Sequence, residues 1–258
     1  MKDYLIDTHC HIDMLINDEV TETDVINEME SFGVKKAIIP SVEIATQDKV
    51  ARLAADNENF YGMVGLFPSE AKTYTEEFEQ KMEQIAKDNP KIVAVGEIGL
   101  DYYWDKSFVD EQKEVFKKQI RMANRLNLPL VIHDREAHKD CFDILKSEQP
   151  NNGVLFHCFS GSVEFMKECV REGWHIALGG VVTFKNAVKM KDVAREVPLD
   201  KLLLETDAPY LTPVPYRGKE NKPGYVKFVA EEIAKIREMS VEELTDITTQ
   251  NAERFFGI

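Results

Sequence analysis

The chain has 258 residues, of which 43% are hydrophobic and 30% charged, and its net charge is −14. It is long enough to bury a substantial core as one large domain or two small ones. The acidic balance argues against a protein that coats nucleic acid, because phosphate contacts need a basic footprint. No apolar run approaches the ~20 residues of a membrane span. An enzyme that meets a phosphate through bound cations stays open, since a bound ion can be the largest charge in a site.

The chain opens on Met1-Lys-Asp-Tyr and runs straight into an apolar strand, so no signal peptide is expected. Eight short apolar runs follow one another: Tyr4–Asp7, Lys36–Pro40, Tyr61–Leu66, Ile92–Glu97, Leu130–His133, Val154–His157, His175–Gly179 and Leu202–Glu205. Leu, Val and Ile dominate them, as in strands buried on both faces of a parallel sheet. Segments of helical spacing lie between, among them Val109–Leu126 and Val163–Glu172. Eight β-α units in this length predict a closed (β/α)8 TIM barrel of the α/β class, as a single domain over 1–258. An open doubly wound sheet ranks second, because no GxGxxG follows the first strand. Tyr210–Gly224, rich in proline and carrying Arg217, Lys219 and Lys222, reads as a loop after the last strand: a solvated turn or a substrate contact. Cys10, Cys141, Cys158 and Cys169 form no CxxC pair and read as reduced thiols, so a cytoplasmic location is the default.

Polar residues suited to metals close several strands. His9 and His11, two apart, share a strand face. Neutral imidazoles converging in this way suit a divalent cation, although the pair alone is read equally well as two surface or core histidines. Glu97, His133, His157 and Asp207 stand at the ends of strands four, five, six and eight. Each has a plain alternative: a capping or surface carboxylate for Glu97, a core histidine for His133, a turn initiator for Asp207. In a barrel all these ends meet on one rim. Six ligands exceed a single tetrahedral site and match two ions with a bridging carboxylate, for which Glu97 is the choice. Two such ions clamp the attacking and leaving oxygens of a displacement and activate water; Asp207 is assigned as the general base. Phosphate esters fit this chemistry. His138 reads as surface or capping, and His175, at the start of strand seven, as structural.

With these residues in place, the chain resembles the TatD-like metal-dependent deoxyribonucleases, within the amidohydrolase-type TIM barrels. The carrying stretches are Asp7-Thr-His-Cys-His-Ile-Asp13, Val95-Gly-Glu-Ile-Gly-Leu-Asp-Tyr-Tyr103, Leu130-Val-Ile-His-Asp-Arg-Glu-Ala137, Phe156-His-Cys-Phe-Ser-Gly161 and Leu204-Glu-Thr-Asp-Ala-Pro-Tyr-Leu211. Pro213–Pro223 and Asn251–Phe256 also fit. The resemblance implies hydrolysis of DNA phosphodiesters with two divalent metals (Mg2+, Mn2+ or Zn2+). It implies 3′-to-5′ exonuclease action on single-stranded DNA, with some activity at abasic or damaged sites and so a place in DNA repair. It puts one metal between His9, His11, Glu97 and Asp207, and the other on Glu97, His133 and His157. Histidine-rich ligation favours zinc, manganese or iron over magnesium. DNA would be a transient, end-directed partner, with no membrane and no obligate protein partner.

The resemblance fails at one place. Where the family carries Gly-x-His-Pro-His, this chain reads Gly65-Leu-Phe-Pro-Ser69, so Phe67 and Ser69 replace two histidines. Loss of one electrostatic donor costs ~10²–10³-fold in rate; alternatively Phe67 stacks on a base. Arg135 is a phosphate contact or a partner of Glu136 or Asp140. Ser160-Gly161 offers backbone N–H groups to an anion at a helix start. Tyr102 and Tyr103 stack on bases or pack in the core, and Glu205 orients a ligand from behind. Two rival readings stand: an amidohydrolase-type enzyme acting on a lactone, cyclic amide or phosphotriester, and a non-catalytic metalloprotein. The absence of a lysine at a strand end near Glu97 disfavours the first, and the whole ligand set disfavours the second.

Overall fold

The computed structural model describes residues 2–258; Met1, where the N-terminal reading starts, lies outside them. Eight strands alternate with helices, in the order that the apolar runs predict. The strands are β1 (Leu5–Asp7), β2 (Val34–Ile39), β3 (Phe60–Val64), β4 (Ile92–Asp101), β5 (Leu130–Arg135), β6 (Val154–Phe156), β7 (His175–Leu178) and β8 (Leu202–Leu204). The α-helices are α1 (Ile12–Leu15), α2 (Glu22–Ser31), α3 (Gln47–Asp56), α4 (Glu76–Asp88), α5 (Val109–Leu126), α6 (His138–Glu148), α7 (Val163–Arg171), α8 (Val188–Glu196), α9 (Val226–Ile236) and α10 (Val241–Phe256). No helix among the described residues is long and apolar enough to cross a membrane.

The chain divides into two compact units. The first joins the residues up to Ile39 with Gly161–Ile258. In it β1 pairs in parallel with β2, and β7 with β8. The Thr8 N–H donates to the Leu204 carbonyl at 3.1 Å and the Asp207 N–H to the His9 carbonyl at 2.9 Å. The chain's late strand β8 therefore runs beside its first strand, and the two ends that carry His9 and Asp207 are laced together. Helix α10 holds this seam from outside: the Thr249 hydroxyl donates to the Tyr4 carbonyl at 2.7 Å, and the Asn251 amide to Leu199 and Leu202. A capping box between Thr21 and Asp24 starts α2, satisfying backbone N–H groups that the helix leaves bare.

The second unit is the continuous segment Pro40–Ser160, in which β3, β4, β5 and β6 form parallel pairs in chain order. All ten residues of β4 are buried, as a strand covered on both faces requires. Gly99 sits opposite His133 at φ +143°, and a Cβ there would lie 2.0 Å from the His133 carbonyl oxygen. Only glycine permits this approach of β4 to β5. Gln112 and Gln119, seven apart and so on one face of α5, are buried clamps. Gln119 exchanges two hydrogen bonds with the backbone of Leu66, and Gln112 two with that of Asp101. They fix the segments that carry Phe67 and Asp101.

Candidate metal centre

In the first unit, His9, His11 and Asp207 offer ligand atoms that all lie within 4.8 Å of one another. The His11 Nε2 lies 3.5 Å from the Asp207 Oδ1 and the His9 Nε2 3.9 Å from it. His9 and His11 meet edge to face, 5.3 Å between ring centroids. Asp207 adopts φ +58°, a left-handed conformation uncommon outside glycine and best tolerated by Asp and Asn. Its backbone bond to His9 holds it there. Behind the pair stands Asp7. Its carboxylate accepts from the Thr206 hydroxyl at 2.5 Å, the Thr206 N–H at 2.9 Å and the His9 N–H at 3.3 Å. Complete burial pushes its pKa up to about 8 against these bonds. Asp7 thus binds the β1 end to the β8 end. It was not singled out from the sequence, although it precedes His9 by the same two-residue step that links His9 to His11. Glu205 is fully buried, its Oε1 3.7 Å from where a Cβ on Gly179 would stand.

In the second unit, Glu97, His133 and His157 form another group within 4.8 Å. Both imidazoles turn to the same carboxylate oxygen: His133 Nδ1 lies 2.6 Å and His157 Nε2 2.8 Å from Glu97 Oε1. The opposite nitrogen of His133, Nε2, lies 3.0 Å from Asp101 Oδ2. If His133 is neutral and gives its one proton to Asp101, its Nδ1 lone pair faces a carboxylate oxygen. That contact is repulsive without a positive charge between them. Burial alone would lower the pKa of His133, but the carboxylates of Asp101 and Glu97 outweigh it and hold the pKa above the ordinary value. The geometry therefore asks for a cation, a proton or a metal, beside Nδ1. Imidazole nitrogens and carboxylate oxygens in both groups fit zinc, manganese or iron, and magnesium less well.

Sequence reasoning missed Asp101. It ended strand four at Glu97, whereas β4 continues to Asp101. Glu97, Gly99 and Asp101 alternate onto one face, and that period carried the signal. Asp101 Oδ1 also accepts from the Tyr103 N–H at 2.8 Å and the Trp104 N–H at 3.3 Å. His133 lies inside β5, while His157 follows the end of β6 and Asp207 that of β8 by three residues.

The substrate residues fare unevenly. Phe67 packs edge-on against His133, with ring centroids 4.5 Å apart, so it does reach this cluster. Arg135 makes neither of its expected ion pairs: Glu136 faces Lys106 at 3.8 Å, and Asp140 takes Lys113 at 2.7 Å. Its guanidinium instead lies over the Tyr103 ring, 4.0 Å from the centroid. The Tyr102 hydroxyl donates to Asp140 at 2.8 Å and is structural. Ser160 does not start a helix; α7 begins at Val163, and its cap is Ser162, which accepts from the Phe165 N–H. Two of the three cations of the 210–224 loop lie over aromatic rings, Arg217 over Phe184 and Lys219 over Tyr216. Asn221 ties that loop to the carbonyls of Thr206 and Tyr210. His138 opens α6 and pairs with Asp134 at 2.7 Å; His175 opens β7 against Phe255.

The model of the TatD related DNase family matches residues 6–257. The chain belongs to this family. The uncharacterized metal-dependent hydrolase YabD of Bacillus subtilis (strain 168) is 43% identical over 258 residues, covering 98% of this chain and 99% of its own. The uncharacterized metal-dependent hydrolase YcfH of Escherichia coli (strain K12) is 36% identical, covering 99% and 96%. The crystal structure of YjjV, a TatD homologue from Escherichia coli K12, superposes with a TM-score of 0.92 at 30% identity, covering 100% of both chains. The fold class is therefore the (β/α)8 TIM barrel expected from the strand count, and the chain is a metal-dependent hydrolase of the TatD family.

Proposed function

We propose that this TatD-family protein is a deoxyribonuclease that hydrolyses DNA phosphodiesters, trimming single strands from the 3′ end. The observation that carries the reading is the doubled ligand set: His9, His11 and Asp207 in one group, Glu97, His133 and His157 in the other. These residues would hold two divalent ions. Such ions, when bound, neutralise charge on phosphate oxygens and acidify water. Asp207 is the residue to take the water's proton. Its Oδ1 lies beside the imidazoles of His9 and His11, and its backbone is tied to the His9 carbonyl. Asp101 keeps the His133 Nδ1 turned toward Glu97. Phe67 lines the His133 side with an apolar ring and donates nothing to a leaving group.

A net charge of −14 supports brief engagement of a strand end over coating of a duplex. Cytoplasmic action without an obligate protein partner completes the reading; the four cysteines stand outside any disulfide. The apolar edge of Phe67 favours one second reading, hydrolysis of a small lactone, cyclic amide or phosphotriester.

The test is a time course on single-stranded oligonucleotides labelled at either end, with Mn2+ or Mg2+ added. Progressive shortening from the 3′ end is expected. No trimming, together with turnover of the small-molecule panel, would overturn the nuclease reading.

A further inference from the structure

We propose that Tyr103, Trp104 and Arg135 form a platform on which an unpaired base of a DNA strand stacks while Arg135 meets its phosphate. The proposal rests on the nuclease reading for the identity of its ligand.

Trp104 is 72% exposed and Tyr103 49%, although burying aromatic surface is among the stronger drives of folding. The two rings meet edge to face, 4.8 Å between centroids. The Arg135 guanidinium stands 4.0 Å from the Tyr103 centroid and 5.4 Å from that of Trp104. The carboxylates best placed in sequence to neutralise Arg135 are engaged elsewhere, Glu136 by Lys106 and Asp140 by Lys113 and Tyr102. An exposed arginine stacked on aromatic rings, in a strongly acidic chain, is a local site for an anion.

The backbone that carries the platform is tied down before any ligand arrives. One Asp101 oxygen accepts the N–H groups of both Tyr103 and Trp104, and the Gln112 clamp holds the Asp101 backbone. Little ordering of the main chain is therefore left for binding to impose. The other Asp101 oxygen meets His133. A single carboxylate thus joins the exposed rings to a ligand of the metal cluster. Aromatic faces with a neighbouring cation are the chemistry by which proteins hold single strands, because every unpaired base presents a π face that duplex stacking covers. The platform gives the enzyme a reason to prefer unpaired ends that the two ligand groups alone do not supply.

Trp104 and Trp174 are the only tryptophans, and Trp174 is buried. In Trp174→Phe, emission reports Trp104 alone. The metal-loaded protein is titrated with an eight-nucleotide deoxyadenosine strand carrying uncleavable phosphorothioate links, with an abasic strand of the same charge, and with phosphatidylserine vesicles. The base-bearing strand should quench the emission and the abasic strand should not. In parallel, anisotropy of the labelled strand on otherwise native protein should show roughly 5- to 100-fold weaker binding for Trp104→Ala. Trp104→Phe should keep most of the affinity, and Arg135→Gln should make binding less sensitive to salt.

Equal binding of base-bearing and abasic strands, or unchanged affinity in Trp104→Ala, overturns the platform even if DNA is trimmed. A response to vesicles alone assigns the rings to a membrane surface and overturns it too. Base-dependent binding lost in Trp104→Ala supports it; if that protein trims no DNA, only the nuclease reading falls.

Discussion

Asp101 Oδ2 and His133 Nε2 lie 3.0 Å apart, so in a neutral His133 that gives its proton to Asp101, the nitrogen facing Glu97 is left as a lone pair for a cation. A carboxylate behind a ligating histidine sets its tautomer and strengthens it as a ligand. Asp101→Asn removes the charge while keeping the shape. Metal affinity should fall ~10- to 100-fold, measured by competition with a chromogenic chelator. Unaltered affinity would mean that Asp101 serves only the loop at Tyr103 and Trp104.

Glu97 gives one oxygen to two imidazoles. Glu97→Ala leaves His133 and His157 without the carboxylate that draws them together. Metal content after gel filtration, read by plasma emission spectrometry, should drop relative to the native chain. Thermal stabilisation by added Mn2+ should shrink with it, because a ligand stabilises only the state that binds it.

Phe67 stands 4.5 Å from His133, centroid to centroid, and carries no polar atom. Phe67→His puts a hydrogen-bond donor at that edge. Turnover of a phosphodiester such as bis(p-nitrophenyl) phosphate should rise, by up to ~10²-fold if the donor reaches the departing oxygen. No rise would mean that another group already serves that oxygen.

Gly99→Ala forces a Cβ against the His133 carbonyl at a backbone angle that L residues rarely adopt. Strand β5 must move or the fold must weaken, by roughly 3 kcal/mol or more. Urea denaturation should show the loss, and metal affinity should fall with it because β5 carries His133.

His175 tests the acid limb of stability. Burial holds its pKa down at about 4, and its Nδ1 has no hydrogen-bond partner among the described residues. The unfolded chain takes up the proton near the ordinary pKa of 6.5. Stability from this neutral histidine is thus complete above the unfolded value and is lost as pH falls toward about 4. His175→Phe should flatten that limb of the pH-dependent denaturation midpoint; an unchanged slope would place the titration elsewhere.

The eight apolar runs were legible because strands buried on both faces cannot alternate with polar residues, and each of the eight strands overlaps one of them, β4 running four residues past its run. The six ligands were legible because each follows or ends such a run. Asp101 and Asp7 were not. An acid that braces a ligand and an acid at a turn look alike in one dimension, and only the bonds to His133 and Thr206 tell them apart. For Arg135 only the ion-pair alternative falls: its expected partners were near in sequence, but Lys106 and Lys113 hold them. Ser160 stood two residues from the true cap, the usual scatter of a helix boundary.

The seam between β1 and β8 also sets a timetable for synthesis. Asp7 meets Thr206, a partner 199 residues on, whereas Glu97 meets His157 across only 60. Closing the longer span costs about 1 kcal/mol more in chain entropy. On the ribosome the difference is one of order as well. Every residue of the Glu97 group has been made about fifty residues before Asp207 appears, so the histidine pair that leaves the ribosome first is the last to be completed.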